Sequence, residues 1–246
     1  LQNGNNADGI LLRSSPKTRP INFIPDVNPK EAMETFKAVF TDYLSCRPSD
    51  RYFLASLIPN TLFIKFTEDI GLTKLTGGTG TGKSKAAAMS SALIYGEEYV
   101  NASTAAADFS SAAMNPLIIL DNLETKSLNK GKKEFLLVSA TGGGREKRKT
   151  GTDSETVNEK SNAQIIVTAI EPFEDQEMNK RTSEIILSRQ YRHPKYPGPS
   201  EVLSKIRAER DLIWSAFFKI AAHNVLPDFN KKRKAALQFI CSKFPD

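Results

Sequence analysis

The strongest constraint on this chain is a glycine-rich segment at residues 77–84, which reads Gly-Gly-Thr-Gly-Thr-Gly-Lys-Ser. It contains the pattern Gly-x4-Gly-Lys-Ser, follows a strand-like run at residues 70–76 and precedes a helix-like run at Lys83–Tyr95. Glycines let backbone N–H groups surround a phosphate at a helix N-terminus, where the helix dipole already favours an anion. The segment therefore predicts a nucleotide-binding P-loop, and the alternative is a glycine-rich turn that contains Lys-Ser by chance.

The residues of this loop have distinct expected tasks. Lys83 is expected to neutralise the β- and γ-phosphates of ATP, and Ser84 is expected to bind Mg²⁺ through its hydroxyl. The loop does not decide the reaction, because kinases, switches and motors share it. The predicted nucleotide-binding residues of the loop are Gly77, Gly78, Thr79, Gly80, Thr81, Gly82, Lys83 and Ser84.

The composition is that of an ordinary soluble protein that can bury a full core. Of 246 residues, 39% are hydrophobic and 25% are charged, and no apolar stretch approaches the roughly 20 residues that span a bilayer. The polar start lacks the apolar core of a signal peptide, which predicts a cytoplasmic protein without a membrane partner. Because the start also lacks a Met, we expect a piece of a longer polypeptide.

The cysteines and the charge balance narrow the possible partners. Cys46 and Cys241 are far apart and lack CxxC spacing, and the chain has only 2 histidines. Neither a disulfide framework nor a zinc site is predicted, and buried free thiols are expected. The 34 basic and 28 acidic residues give a net charge of +6, which is compatible with a polyanionic partner.

Strand and helix patterns alternate along the chain, which predicts an α/β fold with a mostly parallel sheet flanked by helices. An apolar stretch at residues 51–66 is interrupted by Pro59. The predicted strands cover residues 70–76, 98–101, 117–120, 165–170 and 184–188, and the predicted helices cover residues 29–44, 83–95, 104–114, 128–140 and 200–224.

Prolines and a glycine at residues 191–199 break the pattern before the long C-terminal helix. This break predicts three parts. They are an N-terminal extension and helix (1–48), a P-loop ATPase core with a basic hairpin insertion near 141–163 (49–190) and a small C-terminal helical lid (191–246).

A second motif, which contains acidic residues, follows the P-loop in the sequence. Residues 116–124 read Pro-Leu-Ile-Ile-Leu-Asp-Asn-Leu-Glu, an apolar strand that ends in Asp121, as a Walker B segment does. Asp121 is therefore the predicted partner of Ser84 at Mg²⁺. The alternative is a capping or surface Asp after a core strand.

The order of these motifs resembles that of AAA+ ATPases over residues 66–188. In most members a Glu that polarises the attacking water directly follows the Walker B Asp, whereas this chain has Asn122. Glu124 is the predicted general base or water-orienting residue, and a solvent-facing Glu is the alternative. If Asn122 holds that position instead, it orients water without taking its proton, and turnover is slow.

The resemblance implies further site residues. Thr168 corresponds to sensor 1, although β propensity alone also explains a Thr there. Arg181 corresponds to an arginine finger that acts on a neighbouring subunit's nucleotide, with Lys180 as the fallback, and a surface Arg is the alternative. A finger in trans implies a homo-oligomeric ring such as a hexamer. Arg207 and Arg210 correspond to sensor 2, and solvated ion pairs explain them equally well.

A basic segment at residues 141–153 reads Thr-Gly-Gly-Gly-Arg-Glu-Lys-Arg-Lys-Thr-Gly-Thr-Asp. It resembles the insertion that carries basic residues into the pore of replicative helicases of superfamily 3 and MCM type. Such cations grip the phosphates of single-stranded DNA without reading sequence, and a solvated loop is the alternative. The predicted nucleic-acid contacts are Arg145, Lys147, Arg148 and Lys149.

Taken together, these motifs predict an ATP-hydrolysing, AAA+-like motor domain of a DNA replication helicase. The resemblance is to the primase-helicase type found in phages, plasmids and mobile elements. The alternative is a nucleotide-controlled assembly switch with slow hydrolysis, such as a helicase loader or transposition regulator, which Asn122 favours. A small-molecule kinase is disfavoured, because sensor and finger candidates stand where a kinase has a substrate lid.

Overall fold

A parallel four-stranded sheet organises the part of the chain that the computed structural model describes, residues 18–67, 69–98, 104–124, 128–148, 156–228 and 231. Its spatial order is β2-β5-β1-β6, and a separate antiparallel pair is formed by β3 and β4. The strands are β1 (Leu72–Thr76), β2 (Leu117–Leu120), β3 (Gly144–Arg148), β4 (Thr156–Lys160), β5 (Gln164–Thr168) and β6 (Thr182–Ile186). The predicted α/β fold with a mostly parallel sheet is confirmed.

Helices cover both faces of this sheet. The helices are α1 (Pro29–Val39), α2 (Pro48–Asn60), α3 (Lys83–Tyr95), α4 (Ala105–Met114), α5 (Lys130–Ala140), α6 (Gln176–Lys180) and α7 (Pro199–Ile220). Side-chain oxygens of Asn28, Thr104, Asn129 and Asp175 accept N–H bonds at the starts of α1, α4, α5 and α6. These caps fix where each of the four helices begins.

Two hydrophobic clusters hold the layers together. One lies between the sheet and α1, α2, α3 and α7, and includes Leu75, Ile166 and Trp214. The other lies between the sheet and α4, α5 and α6, and includes Ile118 and Phe135. Strands β1, β2 and β5 are buried along their whole length, as expected for a parallel sheet covered on both faces.

Several predicted boundaries differ from the structure. The helix predicted over 29–44 ends at Val39, and a 3-10 turn follows at Thr41–Tyr43. Pro59 does not break its helix, because it lies in the last turn of α2 near Asn60. The last strand lies two residues earlier than predicted, at Thr182–Ile186. Of the strand predicted at residues 98–101, only Glu98 is described, and it lies outside any strand.

The predicted C-terminal lid shares a core with the rest of the molecule. Trp214 Nε1 donates to Leu93 O of α3 at 2.7 Å, and the Phe217 ring packs edge-on against Phe36 of α1. Because these contacts join one hydrophobic cluster, the boundary at residue 191 does not separate two cores in the described residues. None of the described helices combines the length and apolarity needed to cross a bilayer.

Candidate nucleotide-binding site

The P-loop joins β1 to α3 in a conformation that requires glycine. Gly77, Gly80 and Gly82 have φ values of 136°, 73° and 103°, which L side chains rarely adopt. A Cβ atom on Gly77 would also lie 2.3 Å from Leu187 O of the strand-end next to it. The glycines therefore let the loop turn tightly beneath the start of α3.

A cleft of about 790 Å³ opens above this loop. That volume is within the range of natural small-molecule sites, about 300–1,000 Å³. Its lining includes Thr79, Gly80, Gly82, Lys83, Ser84, Lys85, Glu98, Asp121, Asn122, Ile170, Tyr43, Arg192 and Tyr196. The structure therefore brings the two sequence motifs, the P-loop and the Asp121 strand-end, into one cleft.

Lys83 is held inside the loop. Its Nζ donates to Gly77 O at 2.5 Å and to Gly78 O at 3.1 Å, and the residue is 8% exposed. The Thr81 hydroxyl also donates to Gly78 O, at 2.9 Å. A preformed, largely buried ammonium in a glycine loop is suited to bind a phosphate.

Ser84 and Asp121 meet at the mouth of the cleft. Ser84 Oγ donates to Asp121 Oδ1 at 2.9 Å, although 37 residues separate the two in the sequence. A hydroxyl and a carboxylate are hard oxygen ligands of the kind that Mg²⁺ prefers beside phosphates. The residues present therefore fit the predicted magnesium site, in which these two side chains would hold the ion.

Thr168 contacts Asp121 and not the cleft. It is fully buried at the end of β5, where its hydroxyl donates to Asp121 Oδ1 and accepts the backbone N–H of Asn122 at 2.9 Å. Because β5 lies between β1 and β2, Thr168 reaches the Asp121 carboxylate from the side. This geometry orients Asp121; direct contact with a γ-phosphate stays a prediction.

Asn122 and Glu124 point to different places. Asn122 lines the cleft and has a φ of 55°, the one positive value of a non-glycine residue in the described part of the chain. Glu124 Oε1 instead accepts the backbone N–H of Ile170 at 2.8 Å and is not part of the cleft wall. The left-handed turn at Asn122 therefore places the amide at the site and directs Glu124 towards the segment after β5.

The predicted finger residues lie at α6. The Arg181 guanidinium forms an ion pair with Glu177 at 3.3 Å, one helical turn away, and the residue ends the helix. Neither Lys180 nor Arg181 lines the cleft of its own chain. Action on a neighbouring subunit therefore stays a prediction.

The structure does not bring Arg210 to the cleft. The residue is 3% exposed, and its guanidinium donates to Leu93 O, Ile94 O and Pro20 O at 2.8–3.0 Å. These bonds satisfy carbonyls at the end of α3, so Arg210 fastens α7 to the core. Arg207 pairs with Glu98, which lines the cleft, at 3.4 Å, and is therefore at most a neighbour of the site.

Sequence reasoning missed a segment that covers the P-loop. Arg192 Nη2 donates to Gly80 O at 2.9 Å, and Arg189 Nη2 approaches Thr79 O at 3.4 Å. Both arginines follow β6, and the carboxyl ends of parallel strands meet at one edge of a sheet. That rule, applied to Arg-Gln-Tyr-Arg after the final strand, was the signal that could have placed them at the P-loop.

An aromatic wall faces the cleft next to these arginines. The Tyr43 ring packs edge-on against Tyr196 at 5.8 Å and against His193 at 5.4 Å. The guanidinium of Arg192 lies 5.7 Å from the centre of the Tyr196 ring. Tyr43 and Tyr196 both line the cleft and provide it with an apolar surface.

Strand β3 of the basic segment pairs antiparallel with β4, and Arg145 is engaged within the protein. Arg145 pairs with Glu159 of β4 at 2.9 Å, donates to Ala106 O at 2.7 Å and lies 5.0 Å from the Phe109 ring. These contacts anchor the hairpin to α4, which leaves Arg145 poorly placed to grip nucleic acid. Lys147 and Arg148 belong to β3 by their backbone; their side chains, and all of Lys149, lie outside the described residues.

The comparisons with known proteins found similar solved structures but no similar sequence. No family model and no curated protein matches the sequence. The apo A form of the NrS-1 C-terminal region is similar with a TM-score of 0.50 and 17% identity, over 84% of this chain and 49% of that chain. A structure described as "SCCmec type IV Cch - active helicase" gives a TM-score of 0.49 and 16% identity, over 95% of this chain and 46% of that chain.

The chain thus spans about half the length of the solved structures that it matches. At such low identity the likeness to the NrS-1 region concerns the fold. The described part of the chain has an α/β fold with a parallel four-stranded sheet flanked by helices, which is consistent with a P-loop NTPase fold.

Proposed function

We propose that this chain is the ATP-hydrolysing, AAA+-like motor domain of a DNA replication helicase of primase-helicase type, acting on single-stranded DNA. The observation that carries the proposal is the convergence of Lys83, Ser84 and Asp121 in one cleft of nucleotide size. A cation, a hydroxyl and a carboxylate at such a loop are the groups that phosphoryl transfer to water requires.

The residues of the cleft divide the work between the parts of the nucleotide. Lys83 binds the β- and γ-phosphates, and Ser84 and Asp121 hold the ion, which supplies positive charge to the phosphates when bound. Thr168 keeps the Asp121 carboxylate oriented. Arg192 exchanges Gly80 O for a phosphate oxygen, since a charged acceptor binds a guanidinium more strongly than a carbonyl does.

The aromatic wall receives the nucleobase. Tyr43 and Tyr196 present apolar ring surface to the cleft, and stacking on an aromatic ring suits any base. The P-loop thus holds the phosphates while the wall holds the base.

We expect Asn122, and not Glu124, to position the attacking water. Asn122→Gly, which tolerates the φ of 55°, should lower kcat for ATP roughly tenfold to 100-fold with little change in KM. Glu124→Gln should stay within about threefold of wild type, because the amide oxygen still accepts the Ile170 N–H. Steady-state ATP turnover measures both. A larger loss of kcat in Glu124→Gln than in Asn122→Gly would instead assign the positioning of the attacking water to Glu124.

The hairpin gives the proposal its DNA-dependent test. We expect single-stranded DNA to raise ATP turnover, and we expect replacement of Lys147, Arg148 and Lys149 by Ala to remove most of this stimulation, because phosphate contacts by cations supply sequence-independent binding.

A matched control removes the same charge elsewhere, by replacing the exposed Lys30, Lys37 and Lys205 with Ala. The control should retain the stimulation. Equal stimulation of ATP turnover in both triple variants would show that the hairpin cations do not contribute to DNA binding.

A second candidate function is a nucleotide-controlled assembly switch, which the placement of Asn122 favours. An amide in the cleft orients water but takes no proton, and Glu124 is engaged elsewhere. Tight ATP binding with turnover that single-stranded DNA does not raise would support the switch and contradict the motor.

The proposed assembly is a homo-oligomeric ring such as a hexamer, in which Arg181 reaches a neighbour's nucleotide. Solution mass with and without a nonhydrolysable ATP analogue measures it. A chain that stays monomeric in both states would contradict a role for Arg181 in trans.

A further inference from the structure

Lys74 is a buried lysine in the middle of the central strand. It is 1% exposed, and it shares its sheet face with buried apolar residues that include Leu72, Ile118 and Val167. Burial of an ammonium costs free energy that an apolar side chain of similar size, such as Met, does not incur. The predicted tasks of the cleft residues do not account for this lysine.

The ammonium of Lys74 contacts the segment that follows β5. Its Nζ donates to Glu171 O at 2.6 Å and lies 3.6 Å from the centre of the Phe173 ring. Burial lowers the pKa of Lys74, and the carboxylates of Glu184, Glu124 and Glu171 oppose that shift. A small cavity of about 170 Å³ beside it is lined by Lys74, Pro172, Phe173, Asn179, Thr182 and Glu184.

The segment held by Lys74, residues 169–173, connects the cleft to α6. At one end Ile170 lines the cleft, and its backbone N–H donates to Glu124. At the other end Phe173 O accepts the side-chain amide of Asn179 at 2.7 Å, within the helix that ends at Arg181. Lys74 therefore contacts the segment between the cleft and the predicted finger.

We propose that Lys74 is a positioning residue of the nucleotide site, whose ammonium fixes the 169–173 segment and thereby Ile170, which lines the cleft together with Asn122. Its catalytic consequence rests on the proposed ATPase function. The positioning itself is a property of the nucleotide-free protein. A lysine is suited to this task because one cation binds a backbone carbonyl and an aromatic ring at once.

The catalytic test compares Lys74→Met, Lys74→Arg and the control Lys37→Met, which removes an exposed lysine. Lys74→Met should keep or raise the melting temperature, keep ATP affinity within about threefold and lower kcat about tenfold. Lys74→Arg should recover part of kcat. A Lys74→Met protein with kcat within twofold of wild type would overturn the proposal.

Hydrogen exchange of the nucleotide-free protein provides a readout that does not need ATP turnover. The Ile170 amide should exchange about tenfold faster in Lys74→Met than in wild type, while amides within α3 stay unchanged. Unchanged exchange at Ile170 would overturn the proposal even if kcat falls. If wild type hydrolyses no ATP, the proposed function fails, and hydrogen exchange alone decides the role of Lys74.

A second variant covers the case in which Lys74→Met does not fold. Phe173→Leu removes the ring that faces the ammonium and keeps an apolar side chain in its place. It should accelerate exchange at Ile170 in the same direction by a smaller factor. Unchanged exchange at Ile170 in Phe173→Leu would contradict the proposal.

Discussion

Asp121→Asn is expected to lower ATP turnover by about 10²–10³-fold, which corresponds to roughly 3–4 kcal/mol of transition-state stabilisation. Asp121 Oδ1 accepts hydroxyl bonds from both Ser84 and Thr168, so its carboxylate is held at the mouth of the cleft. The amide of Asn keeps one neutral acceptor but loses the negative charge. The fold should be retained, because an amide oxygen still accepts these bonds.

Turnover measured over a range of Mg²⁺ concentrations checks this prediction. Asp211→Asn is the matched control, since Asp211 lies on α7 and its bond from Asn22 is one that an amide oxygen also accepts. The control should behave as wild type. ATP turnover of Asp121→Asn within fivefold of wild type would show that the Asp121 carboxylate is not needed for hydrolysis.

Lys83→Met is expected to weaken ATP binding about 100-fold, or roughly 2.7 kcal/mol. The Lys83 ammonium lies inside the loop, where it donates to Gly77 O and Gly78 O. A hydrogen bond to a charged group contributes about 1.5–3 kcal/mol, and Met supplies a similar volume without a donor or a charge. The substitution should therefore lower the affinity for ATP more than it lowers the free energy of unfolding.

Fluorescence anisotropy of a labelled ATP analogue measures this affinity, and the shift of the melting temperature by ATP gives a second estimate. Lys65→Met, at an exposed lysine on the 3-10 turn Ile64–Phe66, is the control. Wild type and the control should be stabilised by ATP, whereas Lys83→Met should not. An unchanged dissociation constant for Lys83→Met would place the nucleotide elsewhere.

The two largest expected effects concern the motifs that are contiguous in the sequence. The P-loop and the strand ending in Asp121 each consist of neighbouring residues whose local conformation follows from glycine content and apolar runs. Their meeting follows from a general property of parallel sheets, whose strand ends share an edge. This is why the pair was predictable and why the α/β fold was predictable with it.

The side-chain directions after Asp121 were not predictable in the same way. The sequence placed Asn122 and Glu124 near each other, but a left-handed turn at Asn122 decides which of them faces the cleft. That turn is stabilised by bonds from Asn122 N–H and Leu123 N–H to Thr168 on β5. The direction of the two side chains was therefore decided by a strand residue that lies 46 positions further along the chain, as tertiary context often overrides local preference.

The arginines show the same difference between what the sequence suggests and what the tertiary structure decides. The resemblance to AAA+ ATPases suggested Arg207 and Arg210 on the long helix as sensor 2, yet Arg210 satisfies carbonyls of α3 and Pro20 inside the core. Arg189 and Arg192, at the two ends of a short 3-10 turn after β6, contact the P-loop. Helical spacing tells which residues share a face, but it does not tell what that face packs against.

The sequence by itself determined that this chain has a glycine-rich loop between a strand and a helix, an acidic strand-end and an alternating α/β pattern, because each depends on residues close together in the chain. The tertiary structure alone decided the strand order β2-β5-β1-β6 and, through it, the contact of Thr168 with Asp121. It also decided that Arg192 lies over the P-loop and that Lys74 is buried. These features depend on which distant segments pack together, and that is set by the balance of burial over the whole core.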